Sequence, residues 1–552
     1  MRRRVHATLL LTFVAVFLFL SSSIHLSRNA ISSQFFPSPS LTTRPVNPDL
    51  LRYALIQDGN GVVHHNRRVS SLDNSIVTVA ILLPDWEILV IVHGRETNST
   101  PPPTESPQGY VCLFHNNATS PARFSGIFPE SNRMTFKCLM PNCVRRRRPF
   151  LQPILTSNTG KKTGRIPMPE LFRWTFLTYD SLSTENDVVL FVKGVNNRQG
   201  INRSPSEFRC VFYDDSNNIA VKTAVTTSAQ EVFRCPHPDL TALTTLGDGK
   251  HTKISLEILD RNLVVPSVAH YIPRRSLAPN KRKSLLCACT MIHNSGKFLK
   301  EWVMYHSKIG VDKFILYDND SNDDLNSVVL ELTKKGYDVT TSFWIWPKTQ
   351  EAGFSHSVIY ARDSCKWMLY VDIDEFVFSP LWVNSSQPSD QMLKSLLPRV
   401  ASRRPIGQVS INCNEFGPSG QRTHPKEGVI QGYTCRKKIE QRHKSMVLLE
   451  AVDPSLLNVI HHFHLRSEYR TKQMGLERAV VNHYKYQAWP EFRNKFRRRV
   501  SAYVVDWKDK FNPSSKDRTP GLGFQPVEPK GWAEMFCEVR DERLKLLTKK
   551  MV

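Results

Sequence analysis

The stretch WMLYVDIDEFVF, Trp367–Phe378, places Asp372, Asp374 and Glu375 directly after the apolar run Met368–Val371. Residues two apart on a continuing strand point to one face, and at a strand end they can converge on a cation. Hard divalent ions such as Mg2+ or Mn2+ suit carboxylates and also bridge diphosphate oxygens. Bare carboxylates would repel a diphosphate, and a metal between them removes that conflict. The chemistry then needs an opposing nucleophile and a base. The competing reading of any Asp-x-Asp is a solvated strand end, so the surrounding elements must decide.

Those elements alternate. SLLCACTMI has strand length and an apolar character. GKFLKEWVMYHSKIG spaces Phe298, Trp302, Val303, Tyr305, His306 and Ile309 near a 3.6 period and closes on Gly310, which predicts a helix. KFILYDND is a second strand ending in acid, at Asp318 and Asp320. DDLNSVVLELTKKG is a second helix, with Asp323 or Asp324 near its N-cap and Gly336 at its end. YDVTTSFWIW reads as strand, SHSVIYARDSCK as helix, and WMLYVDIDEF closes the series. The alternation predicts an α/β domain with a parallel sheet and helices on its faces. Ligands of such sheets sit at the carboxyl ends of the strands, where both acidic clusters fall.

Residues from about 50 to 270 have another rhythm. SIVTVAILLP, WEILVIVHG, VVLFVKGV and ISLEILD are β-branched runs bounded by Gly, Pro and Asn. YVCLF (Cys112) precedes TFKCLMP (Cys138), and FRCVF (Cys210) precedes VFRCPHP (Cys235). Strand-like flanks and similar separations point to the disulfides Cys112–Cys138 and Cys210–Cys235, each stapling neighbouring strands, although connectivity is not fixed by sequence. This half has neither CxxC metal spacing nor a catalytic constellation. It reads as a sandwich-like binding or packing module. HYIPRRSLAPNKRKS, His270–Ser284, breaks the pattern with Pro and charge and marks a boundary.

The N-terminus sets the compartment. MRRR precedes an uncharged run from Ala7 to Ile24, close to the ~20 residues of a membrane-spanning helix. Arg2, Arg3 and Arg4 should stay cytoplasmic, which predicts a single-pass type II anchor with the remainder lumenal. A cleaved signal peptide is the alternative, since the apolar core is short and Ser21–Ser23 follow it. Either way the chain enters the secretory pathway. Ser32–Pro48, rich in Ser, Pro and Thr, reads as an extended stem. Glycosylation acceptors stand at Asn98, Asn117, Asn202 and Asn384; Asn319 also fits the pattern but lies between the two carboxylates of the earlier strand end. Eleven cysteines suit an oxidising compartment, and the odd count leaves at least one without an internal partner. The net charge of +24 favours anionic partners or a solvated basic surface. Basic runs such as RRRR (Arg145–Arg148) lack interleaved aromatics and any nucleic-acid-binding signature, so no nucleic-acid partner is expected.

From about Leu285 to Asn512 the chain resembles glycosyltransferase family 92. The resemblance rests on CACTMIHNSGKFLKEWVMYHSKIGVDKFILYDNDS, ARDSCKWMLYVDIDEF, EFGPSG, HHFHL and VNHYKYQAWPEFRNK. It implies a GT-A type nucleotide-diphospho-sugar domain, metal-dependent and inverting, in the Golgi lumen. Plant members include the β-1,4-galactan synthases, with a β-rich module between anchor and catalytic domain. The implied donor is a UDP-sugar, the acceptor a glycan and the cofactor a divalent metal, Mn2+ first. The expected layout is a cytoplasmic tail (1–6), an anchor (7–26), a stem (27–50), the β-rich module (51–270), the catalytic domain (284–525) and a C-terminal tail (526–552).

Residue by residue, the resemblance assigns Asp372 and Asp374 to the metal. NHY (Asn482–Tyr484) is similar to a C-terminal His motif of GT-A enzymes, which makes His483 the third ligand; a core-packed imidazole is the alternative. The family's usual Lys-Ser after this motif is replaced by Tyr486 and Gln487, with Lys485 adjacent. His461, His462 and His464 form a rival cluster. Asp318 and Asp320 would accept hydrogen bonds from uracil or ribose, with helix capping as the alternative for Asp320. Arg362 and Asp363 would line the donor pocket, unless they form a surface ion pair. Glu415, in CNEFGPSG, is assigned as the base, because a Gly-rich turn can approach a sugar closely; Glu375 and Glu427 are alternatives. Arg442 and Lys444 would neutralise diphosphate or lie on the surface.

Overall fold

The computed structural model describes residues 78–92, 109–146, 148–157, 168–196, 202–214, 220–239, 252–273, 282–384, 388–398, 403–459, 461–495 and 528–549. The expected tail, anchor and stem, and Asn98, lie outside them. Among the described residues no helix is long and apolar enough to cross a membrane.

The β-rich half begins with an antiparallel sheet of β1 (Thr78–Leu82), β2 (Glu87–Val92), β3 (Arg123–Phe128) and β4 (Arg133–Leu139), in the spatial order β3-β4-β2-β1, with Phe172–Arg173 beside β1. β2 is apolar on both faces. Ile88 and Val90 pack with Cys112, Phe136 and Leu155, whereas Leu89 and Ile91 belong to a second cluster. Both predicted disulfides are present, but each bridges two sheets rather than neighbouring strands of one. Cys112 lies on Tyr110–Leu113 of a separate three-stranded sheet and is bonded to Cys138 on β4. Cys210 on Phe208–Tyr213 is bonded to Cys235 on Val232–Pro236, and these strands belong to different four-stranded sheets around one buried cluster. The reason is pleat geometry: side chains pointing off the inner face of a sheet meet those of the sheet opposite.

The second half follows the predicted alternation: β5 (Ser284–Ile292), α1 (Gly296–Lys308), β6 (Lys313–Asp318), α2 (Leu325–Lys334), β7 (Val339–Phe343), α3 (Gln350–Tyr360) and β8 (Cys365–Tyr370). Then come β9 (Glu375–Phe378), β10 (Ile406–Glu415), β11 (His443–Leu448) and β12 (Val480–His483). They build one sheet in the order β7-β6-β5-β8-β11-β10-β12-β9, with Arg470–Gln473 also paired to β10. β7, β6, β5 and β8 are parallel, β8-β11-β10 run antiparallel, and β12 is parallel to β10 and antiparallel to β9. The sheet is therefore mixed, and the parallel prediction holds for its first four strands. After α1, Gly310 takes φ +122°, and a Cβ there would stand 2.1 Å from the Asp390 carbonyl oxygen, so glycine is required.

Alternation along β5 separates the two faces of this sheet. Leu286, Ala288 and Ile292 pack with Phe298, Trp302 and Val303 of α1. Cys287 and Cys289 face the other way, into a cluster with Phe354 and Val358 of α3 and with Ile81, Leu89 and Phe128 of the β-rich half. The module is thus a second layer on this sheet, and the two halves share a core. Cys287 is bonded to Cys365, the first residue of β8.

The C-terminal residues correct an expectation. Residues 528–549 are part of the fold rather than a tail: Cys537 is bonded to Cys435, Val539–Arg540 pairs with Cys435–Arg436, and Leu544 and Leu547 enter the main core. Trp532 is buried among Tyr486, Trp489 and Phe492. The segment is polar between widely spaced apolar anchors, so its pattern resembles a solvated end.

Candidate active site

β8 delivers its acids to the edge where the parallel strands end. β8 stops at Tyr370, a turn covers Asp372 and Asp374, and the chain re-enters the sheet as β9 at Glu375. β9 lies against β12 with Glu375 opposite His483, and β10 brings Glu415 to His483 from the other side. Backbone pairing therefore assembles Asp372, Asp374, Glu375, His483 and Glu415 at one place.

Each metal-candidate carboxylate has its own lysine and its own histidine. Asp372 lies 2.7 Å from Lys444 Nζ and 3.5 Å from His461 Nε2. Asp374 lies 2.7 Å from Lys495 Nζ and 3.5 Å from His483 Nε2. Glu375 organises both sets. Its Oε2 accepts from the Asp372 backbone N–H at 2.7 Å and lies 2.9 Å from Lys444 Nζ; its Oε1 faces His483 Nδ1 at 3.4 Å. Gln350, at the start of α3, donates to Asp372 Oδ1 at 2.9 Å.

Charge sets the protonation states. Burial by itself would raise the Asp372 carboxyl, but Lys444 and His461 hold it well below the carboxylate range. Burial likewise opposes ionisation of Asp374, and Lys495 and His483 overcome it. Lys444 is fully enclosed; desolvation would lower it, yet Asp372 and Glu375 raise it. All three groups are charged at neutral pH.

The donor set suits a hard divalent cation. The Glu375 carboxylate stands 3.4 Å from His483 Nδ1 without a hydrogen bond, and Nε2, which makes none either, faces Asp374 at 3.5 Å. Two carboxylates and an imidazole fit Mn2+. Among the described residues no three such side chains already stand at metal-binding separation. The lysines hold the two carboxylates on separate partners.

Other candidates fall elsewhere. Glu415 is ionised but fully enclosed: burial would raise it, and Lys485 lowers it. Tyr486 and Lys437 take its remaining oxygen at 3.3 and 3.4 Å. A carboxylate with no exposed surface cannot meet an acceptor hydroxyl here, so its observed role is to hold Lys485. Of its alternatives, Glu375 is equally enclosed and Glu427 is exposed. Arg362 and Asp363 follow α3 and precede β8, at the opposite end of the strand from Asp372. They line a cleft of about 250 Å3 with Thr184, Arg234, Asp453 and Arg466, away from the acidic edge. Asp318 ends β6 on that edge. Burial raises its carboxyl, with Asp320 adding to the effect, while Ser321 donates to it at 2.9 Å. Asp320 is claimed by Arg123 and Lys137 of the module. Asp324 holds the N-cap position of α2 without a side-chain cap bond, and Asp323 instead accepts from Leu325 N–H at 3.3 Å.

Of the rival histidines, His461 reaches the site, His462 meets His443 edge-to-face with ring centres 3.9 Å apart, and His464 is exposed. Burial and the neighbouring positive charges bring His462 down to about 3. Arg442 is exposed, whereas Lys444 is in the site. Asn117 and Asn384 are exposed; Asn202 is half-buried and accepts from Gln230 N–H. The Asn319 amide donates to the carbonyls of Trp344 and Trp346, which leaves it unsuited to carry a glycan. Lys495 and Gln350 enter the site without a role expected from sequence. Lys495 closes the VNHYKYQAWPEFRNK motif, which was a usable signal; Gln350 had none.

Residues 282–518 match the profile of glycosyltransferase family 92. A glycosyltransferase family 92 protein of Arabidopsis thaliana is 34% identical over 526 residues, spanning 93% of this chain and 89% of the relative. One of Ricinus communis is 41% identical over 531 residues, with the same coverage of 93% and 89%. Among solved structures, a mannosyltransferase from Pyrobaculum calidifontis in complex with GDP-Man and Mn2+ aligns at TM-score 0.21 and 12% identity, over 32% of this chain and 48% of that chain. That likeness is too slight to argue from. The sequence relatives suffice: the chain is a glycosyltransferase and belongs to glycosyltransferase family 92.

Proposed function

We propose that the protein is an inverting, metal-dependent hexosyltransferase of the GT-A type that takes its sugar from a UDP donor and passes it to a glycan acceptor, with galactose as the first sugar to test. The observation that carries the reading is the convergence of Asp372, Asp374 and His483 on the ligand-binding edge of the sheet, with Glu375 bonded to the Asp372 backbone and standing beside His483. Asp372, Asp374 and His483 would hold the divalent ion, and the imidazole favours Mn2+. When bound, it supplies Lewis-acid charge for a leaving diphosphate. Lys444 keeps Asp372 ionised and lies 2.9 Å from Glu375, which stands beside the His483 ring, whose Nε2 faces Asp374. Gln350 restrains the one site carboxylate that retains exposure, 28% of its side chain.

The proposed setting is the Golgi lumen, with 7–26 as a type II anchor. Oxidising lumen chemistry agrees with four disulfides among the described residues. The test is hydrolysis and transfer of UDP-galactose and other UDP-sugars with Mn2+, beside Asp372→Ala and Asp374→Ala. Donor turnover that disappears in both variants is expected. Turnover unchanged by either substitution overturns the proposal.

A further inference from the structure

We infer that the β-rich module is a working part of the donor site, because Arg123 and Lys137 hold the β6 loop through Asp320; the inference rests on the donor-site reading above. Arg123 on β3 and Lys137 on β4 are directly opposite in register, so their side chains leave one face together. Arg123 Nη2 lies 2.8 and 2.7 Å from the two Asp320 oxygens, and Lys137 Nζ lies 2.8 Å from Oδ2. Like charges opposite each other on paired strands repel. Asp320 offsets that repulsion by bridging both cations, and Glu87, 3.4 Å from Lys137 Nζ, adds to the offset.

The loop is held on three sides. Asn319 N–H donates to the Ile292 carbonyl at the end of β5. The Asn319 side chain donates to Trp344 and Trp346 at 2.7 and 2.9 Å. Asp320, with φ +64°, turns the chain through the left-handed region toward the module cations. The module also clasps the segment that Asn319 grips: Phe128 stacks on Trp346 at 5.5 Å and meets Phe343 edge-on at 5.4 Å. Gly126 makes that approach possible, since a Cβ there would lie 2.4 Å from the Phe343 ring.

The consequence falls on Asp318. It precedes this loop on the same edge as Asp372, two strands away, roughly 10 Å by strand spacing. A nucleoside diphosphate spans such a gap from phosphates to ribose. Asp320, engaged by two cations and 9% exposed, is the anchor; Asp318 is left to meet the donor. Arg123, Lys137 and Asp320 are therefore positioning residues.

The test uses the full chain with Mn2+ and UDP in titration calorimetry, and UDP-sugar hydrolysis for KM and kcat. Asp320→Asn, which barely changes volume, and Arg123→Ala should each weaken UDP on the order of tenfold. The donor KM should rise alike, with kcat held within about twofold. The double variant should bind no more weakly than the worse single one. Arg123→Lys, which keeps the cation on an edge strand and guards against misfolding, should restore binding. Wild-type UDP affinity in Asp320→Asn and Arg123→Ala, while Asp318→Asn loses it, overturns the inference and leaves the donor site standing. Absence of UDP binding in the unsubstituted chain overturns both.

Discussion

The chain ends two parallel strands in Asp-x-Asp, and the two ends are stabilised differently. At β8, the neutralising cations Lys444 and Lys495 come from the catalytic half itself. At β6, Arg123 and Lys137 come from the β-rich half. The first end is self-sufficient; the second exists in its observed shape because another part of the chain packs on it. The same short motif thus acquires different work from what its neighbours contribute. Asp372 keeps a share of exposed surface beside its lysine, whereas Asp320 is enclosed between two cations.

The sharpest way to break this contrast is to remove a carboxylate at β8. Asp374→Ala should lower Mn2+-dependent UDP-sugar hydrolysis at least ~100-fold, whereas Asp320→Asn should act on KM; equal kcat losses would erase the distinction. Next in size is Lys444→Met, which leaves Asp372 and Glu375 facing each other in an enclosed space. It should cost about 3–5 kcal/mol in denaturant unfolding. A loss under about 1 kcal/mol would mean that the β8 end does not depend on its own lysine.

A pH series compares the two faces of the sheet. His306 lies on the α1 face against Phe376, and His356 on the module face against Phe191. Burial brings both imidazoles from the usual 6.5 to about 3. Below 6.5 the unfolded chain takes up protons that the folded chain refuses, so stability is level above that pH and falls toward 3. One unit below 6.5 the two together should remove about 3 kcal/mol, measured by denaturant midpoints. The smallest expected effect sharpens the module side: Gly126→Ala should cost about 1–3 kcal/mol through the forced shift of Phe343, and should raise donor KM more than it lowers kcat.

The β-α alternation was legible because each element carries its own period and closes on a glycine or an acid. Asp372, Asp374 and His483 were legible as residues; what brings His483 to Asp374 is the antiparallel pairing of β9 with β12, a contact between distant segments. The lysine partners and Gln350 are equally non-local. The role of the module was hidden for another reason. After Glu87, β2 (EILVIV) is apolar at consecutive positions, which signals burial on both faces, but a run of that kind does not say what lies on the second face. Asp320 illustrates the limit: its neighbours suggested a ribose contact or a cap, and its actual partners are nearly two hundred residues earlier in the chain. Cys287–Cys365 and Cys435–Cys537, with separations of 78 and 102 residues, had no recurring flanks to mark them.

The Cys435–Cys537 bond has a consequence for handling the protein. It closes a covalent ring that includes β11, β12 and Lys495 of the active site. A protease cut anywhere inside that ring leaves both fragments joined, and Trp532 still seated among Tyr486, Trp489 and Phe492. Such a nicked preparation would run as a single band on a non-reducing gel and separate into two pieces once thiol is added.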